Sequence, residues 1–291
     1  MDNTEFFNIS NSENKNSNLF LIIKLNLKFH YLCIKIFLQI MKYLGIIPAR
    51  YSSVRFPGKP LADLMGKPVI RWVYESVKDS LDRVIVATDN IRIMNTVVEW
   101  GGEAVMTSHN HKSGTDRCLE AYKIINEEYD VIINIQGDEP FIKPSQIELL
   151  KTAFQNPSTQ IATLIKPLID EADYNDLFSS NTPKVLINYK GEAIYFSRST
   201  IPFIRGIDFD EWLKQHTFYK HIGIYAYKPE VLHEITSLPP STLEKAESLE
   251  QLRWIENGYV IQTVITNEET IGIDTPEDLE RAEKIIINYE L

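Results

Sequence analysis

Cysteine is almost missing from this chain: Cys33 and Cys118 are the only two in 291 residues. There is no CxxC pair and no cysteine–histidine cluster, which excludes a disulfide framework and a structural zinc site. A reducing cytosol is the simplest home for such a chain, so a cytoplasmic location is the expectation. Also missing is the Gly-x-x-x-x-Gly-Lys-Ser/Thr phosphate loop, because Gly58-Lys59 runs into Pro60 and cannot open a helix in the same way. No Ser/His/Asp order or reactive-cysteine setting marks a covalent nucleophile. A long uncharged apolar run is absent too: the stretch 19–40 carries Lys24, Lys28, His30 and Lys35, a poor membrane span. No small-residue cleavage site follows it, so a signal peptide fits badly. Finally, cations are in the minority, with 30 Lys and Arg against 40 Asp and Glu and a net charge of −10. That balance argues against nucleic acid and against an anionic membrane surface as partners.

What is present is ordinary for a globular protein, with 44% hydrophobic and 24% charged residues. The length allows one or two domains. Residues 1–40 differ from the rest, polar and Asn/Ser-rich at first and then apolar with interspersed lysines. They are expected to be a disordered N-terminal extension, with Met41 as the functional start; an amphipathic surface helix is the alternative. Residues 41–291 contain no internal repeat or long linker and are expected to form one domain with an inserted lobe.

Strand and helix patterns alternate through the first half of that region. Residues 43–47 are a short apolar run closed by Pro48. Lys67-Pro68 puts proline at the first position of a helix whose Val69, Ile70, Val73 and Val77 recur at helical spacing. Residues 83–88 form a near-continuous apolar run, the mark of a parallel strand covered on both faces. Asp89 or Asn90 can cap the next helix, which ends near Gly101-Gly102. A short strand over 103–106, a helix from about 114 to 127 and a strand over 130–136 follow, then a helix from Pro144. The alternation predicts an α/β fold: a mostly parallel central sheet flanked by helices, with ligands at the carboxyl ends of the strands. In the second half, 161–168, 184–188, 193–197 and 222–227 read as strands, the middle two as a hairpin across Tyr189-Lys190-Gly191. A single helix is expected over 243–258, a strand over 260–266, strand-like residues at 270–273 and a last helix opened by Thr275-Pro276-Glu277-Asp278.

Three features carry chemistry. Arg50, Arg55 and Lys59 lie on the loop after the first strand, suited to a triphosphate and a pyrophosphate leaving group, or else to a solvated surface. Asp138 and Glu139 follow the strand over 130–136, and Asp274 precedes the last helix. Taken jointly, Asp138 and Asp274 on one rim suit Mg²⁺, which prefers one or two carboxylates plus substrate phosphates. Singly, each also suits a turn or a helix start. Ser113-Gly114-Thr115-Asp116-Arg117 offers a helix cap through Ser113 or Thr115, or a nucleobase pocket. Arg198 and His221 stand near tyrosines in an arrangement that suits an anionic second substrate, although a lone histidine at a strand end is more often structural.

Several of these pieces occur together in a known order. Gly45-Ile46-Ile47-Pro48-Ala49-Arg50, Arg55-Phe56-Pro57-Gly58-Lys59-Pro60-Leu61, SGTDR at 113–117, QGDEP at 136–140, YFSR at 195–198, HIGIY at 221–225, LEQLR at 249–253 and GIDTPEDLE at 272–280 run from about residue 42 to the C-terminus. The chain resembles the 3-deoxy-manno-octulosonate cytidylyltransferases, also called CMP-Kdo synthetases. The resemblance implies a GT-A-like nucleotide-diphospho-sugar transferase fold, a homodimer, and CMP transfer from CTP to the sugar acid Kdo with loss of pyrophosphate. The product feeds lipopolysaccharide assembly. By motif it also implies that Arg50 and Lys59 contact the triphosphate, while Ser113, Gly114, Thr115 and Gln136 contact the cytidine. Asp138 and Asp274 would hold Mg²⁺, and Arg198, His221, Tyr225, Glu250 and Gln251 would line the sugar-acid pocket. The stretch 203–217 matches none of the family's motifs. A sialic-acid nucleotidyltransferase is the near alternative, but PGKPL speaks against its Gly/Ser/Lys-rich loop. A GT-A glycosyltransferase would show a DxD motif where this chain has Gly137-Asp138-Glu139. A non-catalytic nucleotide binder would lack one of the acidic ligands or the loop lysine.

Overall fold

The computed structural model describes residues 41–52 and 55–289. The expectation for 1–40 lies outside the described residues, and everything below concerns the unit that begins at Lys42.

Strand β1 (Tyr43–Ala49) is buried along nearly its whole length, and its backbone stays extended through Pro48 and one residue beyond it. A two-residue ribbon, Asp63–Leu64 against Lys67–Pro68, precedes helix α1 (Val69–Val77). Pro68 is the residue before the helix, with φ −57° and ψ 142°, and not its first turn, because the ribbon holds it extended. Val69, Ile70, Val73 and Val77 give α1 the apolar stripe that the sequence pattern implies. Strand β2 (Arg83–Thr88) is followed by α2 (Ile91–Glu99), which is capped by Asn90 through its side-chain oxygen on the Arg92 amide. Strand β3 (Ala104–Met106) leads to α3 (Gly114–Ile125), where Ser113 is the cap and Asp116 completes a reciprocal capping box. Strand β4 (Val131–Asn134) is shorter than expected: the ladder ends two residues before Gln136, which frees Gln136, Gly137 and Asp138 to shape a cleft. Helix α4 (Pro144–Thr152) opens on proline as expected.

The second half continues with β5 (Ile161–Leu168), α5 (Tyr174–Phe178), β6 (Lys184–Ile187), β7 (Ala193–Ser197), α6 (Trp212–Gln215) and β8 (Phe218–Tyr227). After these come α7 (Pro229–Ser237), α8 (Thr242–Glu247), α9 (Gln251–Glu256), β9 (Ile261–Ile265) and α10 (Pro276–Tyr289). The path through the main sheet is β9-β5-β8-β4-β1-β2-β3. All neighbours on it are parallel except β8, which runs against β4 and β5. The β6–β7 hairpin joins at β8 through a Lys184–Lys220 pairing. Between β5 and β8 lie this hairpin, whose Val185 and Phe196 belong to the main core, and a small separate cluster of Leu168, Leu177, Trp212 and Phe218. From the unmatched stretch 203–217 Trp212 enters that cluster, and the exposed Phe203 and Phe209 lie edge-on against it.

Two further expectations change. The helix expected over 243–258 is broken into α8 and α9 at Ser248, whose φ is +52°. The cause is a contact with the end of β7. Glu247 accepts hydrogen bonds from Ser197 Oγ at 2.7 Å and the Arg198 amide at 2.9 Å, and Arg198 Nε donates to the Glu247 carbonyl at 2.7 Å. These bonds outweigh the small preference for continuing the helix. Residues 270–273 are not in a strand, but the Ile273 amide donates to the Asp138 carbonyl at 2.8 Å. Ile273 is fully buried with Leu64, Val69, Ala282 and Ile286, which anchors α10 beside the end of β4.

Candidate active site

The carboxyl ends of β1 and β4 and the start of α3 enclose a cleft of about 370 Å³, lined by Pro48, Arg50, Arg55, Lys59, Gly114, Arg117, Gln136, Gly137 and Asp138 among others. Its floor needs glycine. A Cβ on Gly137 would stand 2.9 Å from the Pro48 carbonyl, so a side chain there would push β1 and β4 apart. Gly58 holds a left-handed turn at φ 76° whose amide donates to the Tyr51 carbonyl, and this turn aims Lys59 into the cleft.

Lys59 Nζ lies 2.5 Å from Asp138 Oδ2 and 3.1 Å from Asp274 Oδ1, while Arg55 reaches the other Asp274 oxygen at 3.0 Å. Burial alone would lower the Lys59 pKa; contact with the two aspartates outweighs it and holds the pKa above its ordinary value. Asp274 is aimed by the capping of α10: Asp278 accepts from the Asp274 and Thr275 amides, and Thr275 Oγ1 accepts from the Asp278 amide. Glu139 stands just behind. Burial first, then Asp138 and Asp274, push its carboxyl up to about 8. Two carboxylates that already converge on an ammonium fit a divalent cation completed by substrate phosphates. Among the described residues no group of three or more His, Cys, Asp or Glu side chains could hold a metal without such help.

Of the residues assigned to the cytidine, Gly114 and Gln136 line the cleft and Ser113 and Thr115 do not. Ser113 Oγ is engaged at the Asp116 amide, and Thr115 Oγ1 donates to Glu250 Oε2 at 2.7 Å. Gln136 Nε2 donates to the Gly223 carbonyl at 2.8 Å, tying the cleft to β8.

The residues assigned to the sugar acid gather around β8 and the α8–α9 break, outside the lining of the 370 Å³ cleft. Arg198 spends much of its guanidinium on carbonyls of Glu247, Ser180 and Ser248. Glu250 is held by Thr115, and burial raises its carboxyl pKa. The Tyr225 hydroxyl and Gln251 Nε2 are buried without a partner among the described residues, so both hold hydrogen-bonding capacity in reserve. Tyr225 lies 5.2 Å from the ring of His221 and 5.0 Å from that of Trp254. Burial lowers the His221 pKa to about 3, so it is a neutral imidazole at neutral pH. Two participants escape sequence reading: Glu247 and Thr163 reveal themselves only through distant partners.

Residues 44–285 match the family model described as Cytidylyltransferase. A 3-deoxy-manno-octulosonate cytidylyltransferase of Parabacteroides distasonis is 64% identical over 249 residues, covering 85% of this chain and 99% of the relative. One from Bacteroides thetaiotaomicron is 59% identical, covering 85% of this chain and 99% of the relative. A solved structure of CMP:2-keto-3-deoxy-manno-octonic acid synthetase complexed with CTP is 42% identical, with a TM-score of 0.77, covering 86% of this chain and all of that one. The chain therefore belongs to the 3-deoxy-manno-octulosonate cytidylyltransferase family.

The depressed pKa of His221 has a consequence for stability. Above pH 6.5 both folded and unfolded forms are neutral. Below it the unfolded histidine takes a proton that the folded one refuses until about pH 3. Stability is therefore lost as pH falls, by up to about 1.4 kcal/mol per pH unit from this group. Urea unfolding of wild type and His221→Asn at pH 6.5 and 4.5 checks it. The wild type is expected to lose more stability than the variant, and equal losses contradict the burial of the ring.

Proposed function

We propose that this protein transfers the cytidylyl group of CTP to Kdo, giving CMP-Kdo and pyrophosphate, an activated sugar acid for lipopolysaccharide assembly. The observation that carries the reading is the cleft rim, where Arg50, Arg55 and Lys59 face Asp138 and Asp274 at the carboxyl ends of parallel strands. An acidic protein binds a triphosphate through such a local group of cations and not through its net charge of −10.

In this reading the anomeric 2-hydroxyl oxygen of the sugar acid attacks the α-phosphorus of CTP. The bond to the bridging oxygen breaks, pyrophosphate leaves, and the hydroxyl proton passes to water. Arg50 and Lys59 hold the phosphates and stabilise the charge that grows on the leaving group. Gly114 at the start of α3 and Gln136 face the cytidine, while Ser113 caps that helix and Thr115 ties it to Glu250. His221, Tyr225, Glu250 and Gln251 border the sugar acid, with Arg198 shaping that wall. Asp138 and Asp274 are the residues that would hold Mg²⁺, which when bound neutralises charge on the α-phosphate and pyrophosphate. Positioning and charge stabilisation supply the catalysis, with no covalent enzyme intermediate.

The working form proposed is a cytoplasmic homodimer. Phe203, Phe209 and Phe178, respectively 69%, 59% and 47% exposed, form an apolar surface in the segment between β5 and β8 that supports association. Light scattering is expected to give twice the 33.6 kDa chain mass, and a monomer mass counts against it. Among the described residues no helix is long and apolar enough to cross a membrane.

Pyrophosphate release tests the reaction. Activity is expected with CTP, Mg²⁺ and Kdo, with far less when UTP replaces CTP or sialic acid replaces Kdo. Asp274→Ala is expected to lower turnover by about a hundredfold or more with its thermal unfolding little changed. Near-normal turnover in that variant, or a preference for sialic acid, would overturn the reading.

A further inference from the structure

Strand β8 does not run evenly beside β5. Ile222 pairs with Leu164, but the next pairing, opposite Thr163, is made by Tyr225, which leaves Gly223 and Ile224 as extra residues in a bulge. Side chains on two other strands' ends take up the carbonyls this frees. Gln136 Nε2 donates to the Gly223 carbonyl at 2.8 Å. Thr163 Oγ1 donates to the Ile224 carbonyl at 2.7 Å and lies 3.3 Å from that of Ile222.

Thr163 is fully buried, and its hydroxyl also stands 2.9 Å from His221 Nε2. A hydroxyl owns one proton. At 2.7 Å from a carbonyl oxygen that proton must lie between the two oxygens, since two lone pairs at that separation would repel. The hydroxyl therefore has only a lone pair left for His221, and Nε2 must be the atom that carries hydrogen. Burial keeps the ring neutral, so Nδ1 is left with a lone pair. Among the described residues nothing donates to Nδ1. The ring cannot turn over cheaply, because Phe196 meets it edge-on at 5.0 Å and Tyr225 at 5.2 Å. Its backbone amide is bound to the Pro183 carbonyl at 2.9 Å.

We propose that Thr163 is a positioning residue for the sugar acid: its hydroxyl locks His221 in the Nε2–H form, so that Nδ1 accepts a hydrogen bond from a substrate hydroxyl. The imidazole then selects for a polyhydroxy acid by its hydroxyl pattern and takes no part in binding the carboxylate. This rests on the reading that His221 borders the sugar-acid side of the cleft.

Thr163→Val keeps the shape and removes the hydroxyl, and Thr163→Ser keeps the hydroxyl. Two-bond proton–nitrogen spectra of protein labelled at histidine nitrogen, with the His221 signals assigned through His221→Asn, report the tautomer directly. The wild type is expected to show protonated Nε2 and a bare Nδ1 that shifts upfield when Kdo is added. Thr163→Val is expected to lose the single tautomer and to raise KM for Kdo about tenfold while KM for CTP stays unchanged, with Thr163→Ser restoring both. Protonated Nδ1 in the wild type overturns the proposal. So does a Thr163→Val enzyme with an unchanged tautomer, or one whose KM values for CTP and Kdo rise together, as a collapsed bulge would cause. If the tautomer is as expected but Kdo moves no His221 signal, the placement of the sugar acid is what fails, and the substrate half of the proposal falls with it.

Discussion

One ammonium group shared by two aspartates organises this protein. Lys59 comes from the loop after the first strand, and its partners Asp138 and Asp274 lie 79 and 215 residues further along the chain. The contact depends on prior structure: the Ile273 amide on the Asp138 carbonyl, the burial of Ile273 under α1 and α10, and the absence of a side chain at Gly137. Removing the lysine alone would leave Asp138 without its cation and Asp274 with Arg55 only. The ligand-free cleft is thus held in shape by the charges proposed to work on CTP. In the proposed reaction Lys59 would serve the phosphates, and Asp138 and Asp274 are the residues that would hold Mg²⁺.

The sugar-acid side follows a different principle. Its groups are buried or half-buried and mostly neutral: a histidine that stays unprotonated, a tyrosine hydroxyl and a glutamine Nε2 without partners among the described residues, and a glutamate whose pKa burial raises. Low polarity of the surroundings makes each hydrogen bond there more selective, because a substrate that leaves one unmade incurs its full desolvation cost. Arg198 serves mainly to hold the break between α8 and α9, which sets Glu250 against Thr115 at the start of α3. The Gln136–Gly223 bond is a second direct link between the two sides.

Much of the fold was legible because its buried parallel strands are continuous apolar runs. The bounds of β2 and β5 match their sequence patterns, and Asn90 and Ser113 resolve into caps at positions already suspected. The misjudged elements are those where a distant contact overrides a local pattern. The helix expected over 243–258 breaks because Glu247 bonds to β7, and Pro68 stays extended because the ribbon claims it. The phosphate side of the site could be read as motifs, since charged residues after strands are visible in one dimension. Thr163 could not: it is a threonine in an apolar strand, and its role exists only where the β8 bulge presents a carbonyl and an imidazole to the same hydroxyl.

Calorimetric titration of CTP, with and without Mg²⁺, into wild type and the Asp138→Asn/Asp274→Asn double variant tests the shared-cation account most directly. Without metal the double variant should bind CTP more tightly than wild type, because Lys59 is released to the phosphates and two repelling charges are gone. With Mg²⁺ the order should reverse, wild type gaining about tenfold or more and the variant little. A double variant that keeps the full Mg²⁺ gain, or binds metal-free CTP no better than wild type, would contradict it.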